Sequence, residues 1–128
     1  MVCSDAPSAE GVTVTGRLSD EELASWYRRA WVFCLPSTYE GFGIPYAEAL
    51  LSGTPVVASP NPGARYVLAD GKYGRIVEDP ELGSSILELL SSQWPGAGTI
   101  RARAGASRFD LLHVISEYET LYTRTLDR

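Results

Sequence analysis

Two short apolar segments flanking one helix-like segment constrain the fold more than any other feature of the sequence. Residues 31–35 and 55–58 are rich in β-branched and aromatic side chains and contain no charge. A continuous apolar run of this length is typical of a strand that is covered on both faces in a parallel sheet. Between the two segments, Pro45 suits the first turn of a helix and Gly53 suits its end. The pattern predicts a strand–helix–strand unit with a right-handed crossover.

The same alternation continues on both sides of this unit. Further strands are predicted at 12–15 and 74–77, and further helices at about 19–30, 64–68, 79–90 and 109–126. Ser19 and Glu22 have the spacing of a capping box at the start of the first helix. The last helix has a long apolar stripe, for which packing on the chain's own sheet is favoured over packing on another lobe. Together these elements predict one α/β domain over residues 1–128, a three-layer α/β/α arrangement around a Rossmann-like parallel sheet.

Charge and composition exclude several classes of function. The formal net charge is −5, and no basic block is present, which argues against a nucleic-acid partner. No apolar run is long enough to span a membrane, so a cytoplasmic location is expected, with peripheral membrane association in a whole enzyme left open. The single histidine and the two cysteines, Cys3 and Cys34, do not form a metal-ligand cluster. A disulfide between the two cysteines is left open.

The carboxyl end of the predicted sheet is where a ligand is expected, since ligands of open α/β sheets bind there. The loops 16–18, 37–44 and 59–64 should converge on this edge. Gly41 and Gly43 allow a backbone to approach a ligand closely, and the helix that follows would direct N–H groups at an anion such as a diphosphate. Glu48, the lone charge on an apolar helix, could accept hydrogen bonds from a vicinal diol such as ribose. Glu40, before the glycines, could accept hydrogen bonds from sugar hydroxyls or stabilise a developing positive charge.

Other interpretations of these residues stay open at this point. A lone G-x-G pattern is weak, and Glu48 could be paired inside the protein, for example with Arg65. Arg65 could instead bind a phosphate or pair with Glu40. The two glutamates could also serve as the acid/base pair of a glycoside hydrolase. Tyr39, in the loop, is a further candidate for a ligand contact.

A longer stretch resembles a known family. Residues 40–48 (E-G-F-G-I-P-Y-A-E) and 53–59 (G-T-P-V-V-A-S) resemble the E-x7-E region of retaining glycosyltransferases of family 4, which have the GT-B fold. Residues 16–30 are similar to the segment before that region, and residues 74–80 are similar to the segment after it. The resemblance covers nearly all of residues 12–90.

The resemblance implies a role for each matched residue. It implies that Glu48 holds the nucleotide ribose, that Glu40 is catalytic, and that Gly41, Phe42, Gly43 and Ile44 face the donor sugar and diphosphate. Gly16, Arg17 and Leu18 would lie near the base. A phosphate contact for Arg65 is kept as one of the alternatives given above. No metal and no cofactor other than the nucleotide-sugar substrate, such as a UDP- or GDP-sugar, would be needed.

The resemblance also indicates what the chain lacks. It implies a truncated C-terminal, donor-binding lobe without the N-terminal acceptor lobe and without the Arg/Lys pair that neutralises the diphosphate. Tyr66 stands where many members have a glutamate. The chain alone is therefore expected to be inactive. Because its sheet has an open edge, the chain is also expected either to form a homodimer through that edge or to be only marginally stable. A non-catalytic nucleotide or nucleotide-sugar binding module is the alternative.

Overall fold

A three-stranded parallel sheet organises the computed structural model, which describes residues 9–91 and 97–126. The strands are β1 (Phe33–Leu35), β2 (Val56–Ala58) and β3 (Arg75–Ile76), and they lie in this order. Phe33 pairs with Val56 in the first ladder, and Val57 pairs with Arg75 in the second. The parallel register confirms the α/β fold class predicted from the alternation of segments.

Six helices accompany the sheet in the described part of the chain. They are α1 (Asp20–Arg29), α2 (Ile44–Leu51), α3 (Pro62–Val67), α4 (Leu82–Ser91), α5 (Ala97–Ala106) and α6 (Leu111–Leu126). Short 3₁₀ turns precede α4 at Asp79–Glu81 and α6 at Ser107–Phe109. Because the second turn occupies residues 107–109, the last helix begins two residues later than the predicted residue 109.

Capping residues explain where α1 and α3 begin. Ser19 accepts a hydrogen bond from the Glu22 N–H, and the Glu22 carboxylate accepts one from the Ser19 N–H, which is the predicted capping box. Asn61 caps α3 in the same way by accepting a hydrogen bond from the Ala64 N–H at 2.8 Å. These local contacts fix both helix starts relative to the segments before them.

The core lies between the central strand and the helices. All three residues of β2 are buried, and Tyr46, Ala49 and Leu50 of α2 are fully buried against them. Ala102 and Ala106 of α5 complete this cluster. Helix α2 is therefore held on several sides, and the residues at its start are fixed relative to the sheet.

The predicted strand at residues 12–15 is not part of the sheet that the described residues form. The described sheet pairs only the three strands above, and the side chains of Val12 and Val14 are 42% and 40% exposed. The β-branched composition expresses a preference for extended backbone, but a strand is stable only when its side chains are packed in a sheet. The prediction rested on composition and was wrong for this segment.

The apolar stripe of α6 does not pack on the chain's own sheet. Leu111 is 72% exposed and Tyr122 is 65% exposed, and Ile115, Tyr118 and Leu121 are also exposed. The helix meets the rest of the chain mainly through the 3₁₀ turn before it. The packing favoured from the sequence was wrong, and the stripe faces solvent in this chain.

Two predictions concern residues that lie wholly or partly outside the described ranges. Cys3, whose disulfide with Cys34 was left open, lies outside them, while Cys34 lies in β1 as a free thiol. The run Trp-Pro-Gly-Ala-Gly at residues 94–98 also predicts a helix break. Residues 94–96 lie outside the described ranges, and α5 is described from Ala97. None of the described helices has the length and apolar character needed to cross a membrane.

Candidate functional site

The loop between β1 and α2, residues 36–43, is called the glycine loop here, and its last residue determines its shape. Gly43 has a φ of 89° and forms the N-cap of α2. A Cβ at this position would lie 2.5 Å from Cδ2 of Tyr46, whose side chain is fully buried. Only glycine combines the left-handed backbone with the missing side chain, so the tight turn onto α2 depends on it.

Asn61 joins the glycine loop to the loop that follows β2. Its side-chain amide donates hydrogen bonds to the carbonyl oxygens of Ser37 and Ser59 and to the hydroxyl of Tyr46, at 3.0–3.1 Å. Asn61 is buried, so these bonds form away from water. The two loops predicted to converge at the carboxyl end of the sheet are therefore connected directly.

A backbone contact joins the same two segments. The Gly63 N–H donates a hydrogen bond to the Glu40 carbonyl oxygen at 2.9 Å. A Cβ on Gly63 would lie 2.7 Å from that oxygen and 2.9 Å from the Phe42 carbonyl group. The start of α3 and the glycine loop are thus in van der Waals contact, and the absence of a side chain at Gly63 allows it.

Replacing Asn61 by alanine is expected to lower the free energy of unfolding by about 2 kcal/mol, since a buried hydrogen-bonded amide and a helix cap are lost. Asn61→Asp keeps the acceptor for Ala64 but removes the amide donor that faces Ser37 and Ser59. We expect Asp to destabilise at least as much as Ala in urea unfolding. Near wild-type stability of Asn61→Asp would mean that only the helix cap matters.

Glu48 lies half-buried in the second turn of α2, the helix that follows the glycine loop. Its Oε2 accepts a hydrogen bond from the hydroxyl of Tyr27 on α1 at 3.1 Å. Tyr27 is the one hydrogen-bond partner of this carboxylate within residues 9–91 and 97–126. Glu48 is therefore held by a neutral donor, and the proposed pair with Arg65 is not formed.

Arg65 points to a different partner. Its guanidinium lies 3.6 Å from the carboxylate of Asp70, and both side chains are exposed. None of the ion pairs in the described part of the chain includes Glu40 or Glu48. The two glutamates of the site therefore have no cationic partner there, and the sequence-based pairing of Arg65 with either was wrong.

Within the described residues, the first turn of α2 has a free hydrogen-bond donor next to the end of the glycine loop. The Tyr46 N–H is bonded to the Gly43 carbonyl at 3.0 Å, and Pro45 has no N–H. No partner is found for the Ile44 N–H among the described residues. A helix N-terminus carries a partial positive charge, so this donor and the helix dipole together suit a negatively charged group.

Glu40 is half-buried in the glycine loop. Burial raises the pKa of the Tyr46 hydroxyl, and the negative charge of Glu40 raises it further. Gly41 is exposed, and a Cβ there would meet nothing within 4 Å. Tyr39 is 75% exposed. The loop therefore presents Tyr39, Glu40 and Gly41 at its accessible side.

The third predicted loop is less closely connected. Gly16 adopts a φ of 64°, Arg17 is exposed, and Leu18 is half-buried. In the described structure, no hydrogen bond or ion pair joins these three residues to the glycine loop. Their predicted contact with a base therefore stays a prediction.

An aromatic cluster supports the outer side of the glycine loop. The rings of Phe42, Tyr66 and Phe109 lie 5.4–6.0 Å apart, and the Arg108 guanidinium stacks on Phe109 at 5.1 Å. The same guanidinium donates a hydrogen bond to the Tyr66 carbonyl oxygen at 3.0 Å. Tyr66, at the position where the resemblance led us to expect a glutamate, thus packs between the loop and the turn before α6.

The sequence did not single out several residues that shape this site. Tyr27 lies in the helix predicted at about 19–30, and Asn61 and Gly63 lie in the predicted loop 59–64, but no role was predicted for any of the three. A signal existed for Gly63, since a glycine inside the first turn of a helix is unfavourable unless another chain segment needs the space. Nothing in the local sequence indicates the long-range partners of Tyr27 and Asn61.

The chain is similar to several known proteins. The family model described as "Glycosyl transferases group 1" matches residues 5–105. The chain is 48% identical over 86 residues to the "MMP alpha-(1->4)-mannosyltransferase" of Mycolicibacterium hassiacum, and this alignment covers 63% of this chain and 21% of that protein. It is 35% identical over 123 residues to the "Phosphatidyl-myo-inositol mannosyltransferase" of Mycobacterium leprae, and this alignment covers 89% of this chain and 33% of that protein.

A solved structure has the same fold. Sucrose-phosphate synthase from Thermosynechococcus elongatus superposes with a TM-score of 0.75 at 28% identity, over 90% of this chain and 30% of the synthase. The sheet and its helices therefore match part of a GT-B, Rossmann-like fold. The chain spans between a fifth and a third of the length of these three proteins.

Proposed function

Because the chain belongs to the glycosyl transferases group 1 family, we propose that it is the donor-binding part of a retaining glycosyltransferase that moves a sugar from a nucleotide-sugar to an acceptor. The observation that carries the proposal is the closed corner formed by the glycine loop, the start of α2 and Glu48. Two loops joined by Asn61 and Gly63 hold this corner in one shape. A site fixed before the ligand arrives avoids the entropic cost of ordering loops on binding.

Each part of the corner has a chemical task in this proposal. The Ile44 N–H and the dipole of α2 would bind the diphosphate, because the N-terminal end of a helix carries a partial positive charge. The half-buried carboxylate of Glu48 would accept hydrogen bonds from the ribose diol. Glu40, at the accessible side of the loop, would face the sugar and stabilise positive charge as the bond to the nucleotide breaks.

The rest of the enzyme is proposed to supply the acceptor. Since the chain spans at most about a third of the matched relatives, we propose that an acceptor lobe covers the apolar face of α6. The exposed leucines and tyrosines on that helix are the kind of surface that soluble proteins bury in an interface. Transfer by this chain alone is not expected.

The proposal is tested by calorimetry and product analysis on the full-length protein. UDP-, GDP- and ADP-sugars are titrated, and the anomeric configuration of the product is determined by NMR. Binding of one donor followed by transfer with retained configuration is the expected result. Inversion would refute the retaining mechanism, and tight binding without transfer to any acceptor would favour the non-catalytic binding module. The family relationship gives no support to the hydrolase alternative.

Transfer is also expected to continue after removal of divalent metal ions. In the proposed site the backbone donor and the helix dipole stabilise the diphosphate, and the Arg/Lys pair expected in the rest of the enzyme would neutralise it, so no metal is needed. The measurement is the initial transfer rate before and after dialysis against EDTA. A rate that falls more than about tenfold and returns on addition of Mg²⁺ or Mn²⁺ would contradict the metal-independent proposal.

A further inference from the structure

Tyr27 makes an unusual contact for a core tyrosine. Its hydroxyl donates a hydrogen bond to Oε2 of Glu48 across the interface between α1 and α2, at 3.1 Å. A hydrogen bond from a neutral donor to a carboxylate is stronger than one between neutral groups, and it is directional. The contact therefore restricts the rotation of the Glu48 side chain.

Tyr27 is held at both its ring and its backbone. The side chain of Tyr27 is 7% exposed, and its ring meets the ring of Phe33 edge-on at a centroid distance of 5.3 Å. The hydroxyl of Thr54, after α2, donates a hydrogen bond to the Tyr27 carbonyl oxygen at 2.6 Å. The ring is thus packed against the sheet, and the backbone is bonded to the segment after α2. These two contacts restrict the position of the Tyr27 hydroxyl.

The protonation state of Tyr27 suits a permanent donor. Burial raises the pKa of Tyr27 far above its ordinary value, and the negative charge of Glu48 raises it further. The neutral phenol, which can donate its proton in a hydrogen bond, is therefore the form present at physiological pH.

We propose that Tyr27 is a positioning residue that occupies Oε2 of Glu48, leaves Oε1 free for the ribose, and thereby sets the preference of the site for ribonucleotides. This inference rests on the proposed function, in which Glu48 holds the ribose. A carboxylate has about four acceptor positions on its two oxygens. With one of them taken by Tyr27, the carboxylate plane is fixed, and Oε1 keeps its full capacity for the two ribose hydroxyls.

The consequence is selectivity for a diol. A buried polar group that is built to bind a hydroxyl discriminates against an analogue that lacks it, because the group is left unpaired. A carboxylate free to rotate could turn to the remaining 3′-hydroxyl and recover part of the loss. Tyr27 prevents that rotation, so its removal should reduce the discrimination between a nucleotide and its 2′-deoxy analogue.

The test uses nucleoside diphosphates as probes on the full-length protein. Calorimetry with UDP, GDP and ADP identifies the one that wild type binds, and its 2′-deoxy analogue is then titrated. Both measurements are repeated for Tyr27→Phe, Glu48→Gln and the double variant. Tyr73→Phe is the matched control, since this half-buried ring lies against Arg108 and its hydroxyl makes no hydrogen bond to Glu48 among the described residues. Thermal unfolding shows that each variant is folded.

We expect Tyr27→Phe to weaken binding of the ribonucleotide about 3- to 10-fold, because the hydrogen bond that orients the charged carboxylate is lost. Binding of the 2′-deoxy analogue should change less, so the ratio of the two affinities should fall towards that of Glu48→Gln. Adding Tyr27→Phe to Glu48→Gln should change neither affinity further. Tyr73→Phe should keep the wild-type ratio.

Four results would overturn the inference, and only the last of them would also overturn the proposed function. If wild type prefers the ribonucleotide and Glu48→Gln loses the preference while Tyr27→Phe keeps it, the inference fails and the proposed function stands. The inference fails in the same way if Tyr27→Phe weakens both probes equally or acts independently of Glu48→Gln, because either result is the signature of a purely structural role. If wild type binds none of the diphosphates, the proposed function fails and the inference fails with it.

Discussion

Glu48→Ala should weaken binding of the donor nucleotide-sugar about 10- to 100-fold in the full-length protein, since one or two hydrogen bonds to a charged group are lost. Glu48 is half-buried and makes its described hydrogen bond to a neutral phenol, so its charge is not cancelled by a nearby cation. The loss should appear in calorimetry as a higher Kd. The same variant should lower kcat/KM by a similar factor if ribose binding is kept in the transition state.

The matched control is Glu88→Ala. Glu88 lies on α4, is exposed, and is paired with Arg75 on β3 at 2.6 Å, so its loss should change stability little and donor binding not at all. Because Glu48→Ala leaves the buried hydroxyl of Tyr27 without its acceptor, thermal unfolding must accompany the titrations. An unchanged donor affinity in folded Glu48→Ala would refute the ribose role of this residue.

Gly63→Ala is expected to lower the free energy of unfolding by about 2–3 kcal/mol, as overpacking in a closed contact does. The added Cβ would lie 2.7 Å from the Glu40 carbonyl oxygen and 2.9 Å from the Phe42 carbonyl group. These are backbone atoms, which cannot rotate out of the way as a flexible side chain can. The start of α3 would have to move away from the glycine loop, and the hydrogen bond from the Gly63 N–H would lengthen.

The glycine loop supplies its own control for this substitution. A Cβ on Gly41 would meet nothing within 4 Å, so Gly41→Ala should stay within about 0.5 kcal/mol of wild type. Urea unfolding of both variants measures the difference. Donor affinity should fall in Gly63→Ala even at temperatures where the variant is folded, since the loop shape has changed. Equal stability of the two variants would show that the loops can separate without cost.

Local signals in the sequence predicted the elements that define the corner. The capping box of Ser19 and Glu22, the proline early in α2 and the apolar run of β2 each depend on residues within a few positions, and each feature is found where it was expected. The predicted order of strands and helices around the glycine loop is likewise confirmed, apart from the strand at 12–15. The position of the corner at the carboxyl end of the sheet followed from this order.

The contacts that hold the corner together could not be predicted in the same way. The bonds of Asn61 to Ser37 and of Tyr27 to Glu48 join residues that are 24 and 21 positions apart. Such partners depend on how helices pack, and the sequence near each residue carries no signal for that. The errors have the same origin: the strand at 12–15 and the packing of α6 required a neighbouring surface that composition does not reveal.

The connection between the glycine loop and the loop after β2 has a consequence for exchanging parts between related enzymes. Asn61 donates hydrogen bonds to Ser37 in one loop and to Ser59 in the other, while Gly63 touches the backbone of Glu40. Grafting only one of these loops from a relative would bring in a surface shaped for a different neighbour. Donor preference should therefore be transferable only when residues 36–43 and 59–63 are moved together, so that the two loops form one unit of exchange during directed evolution.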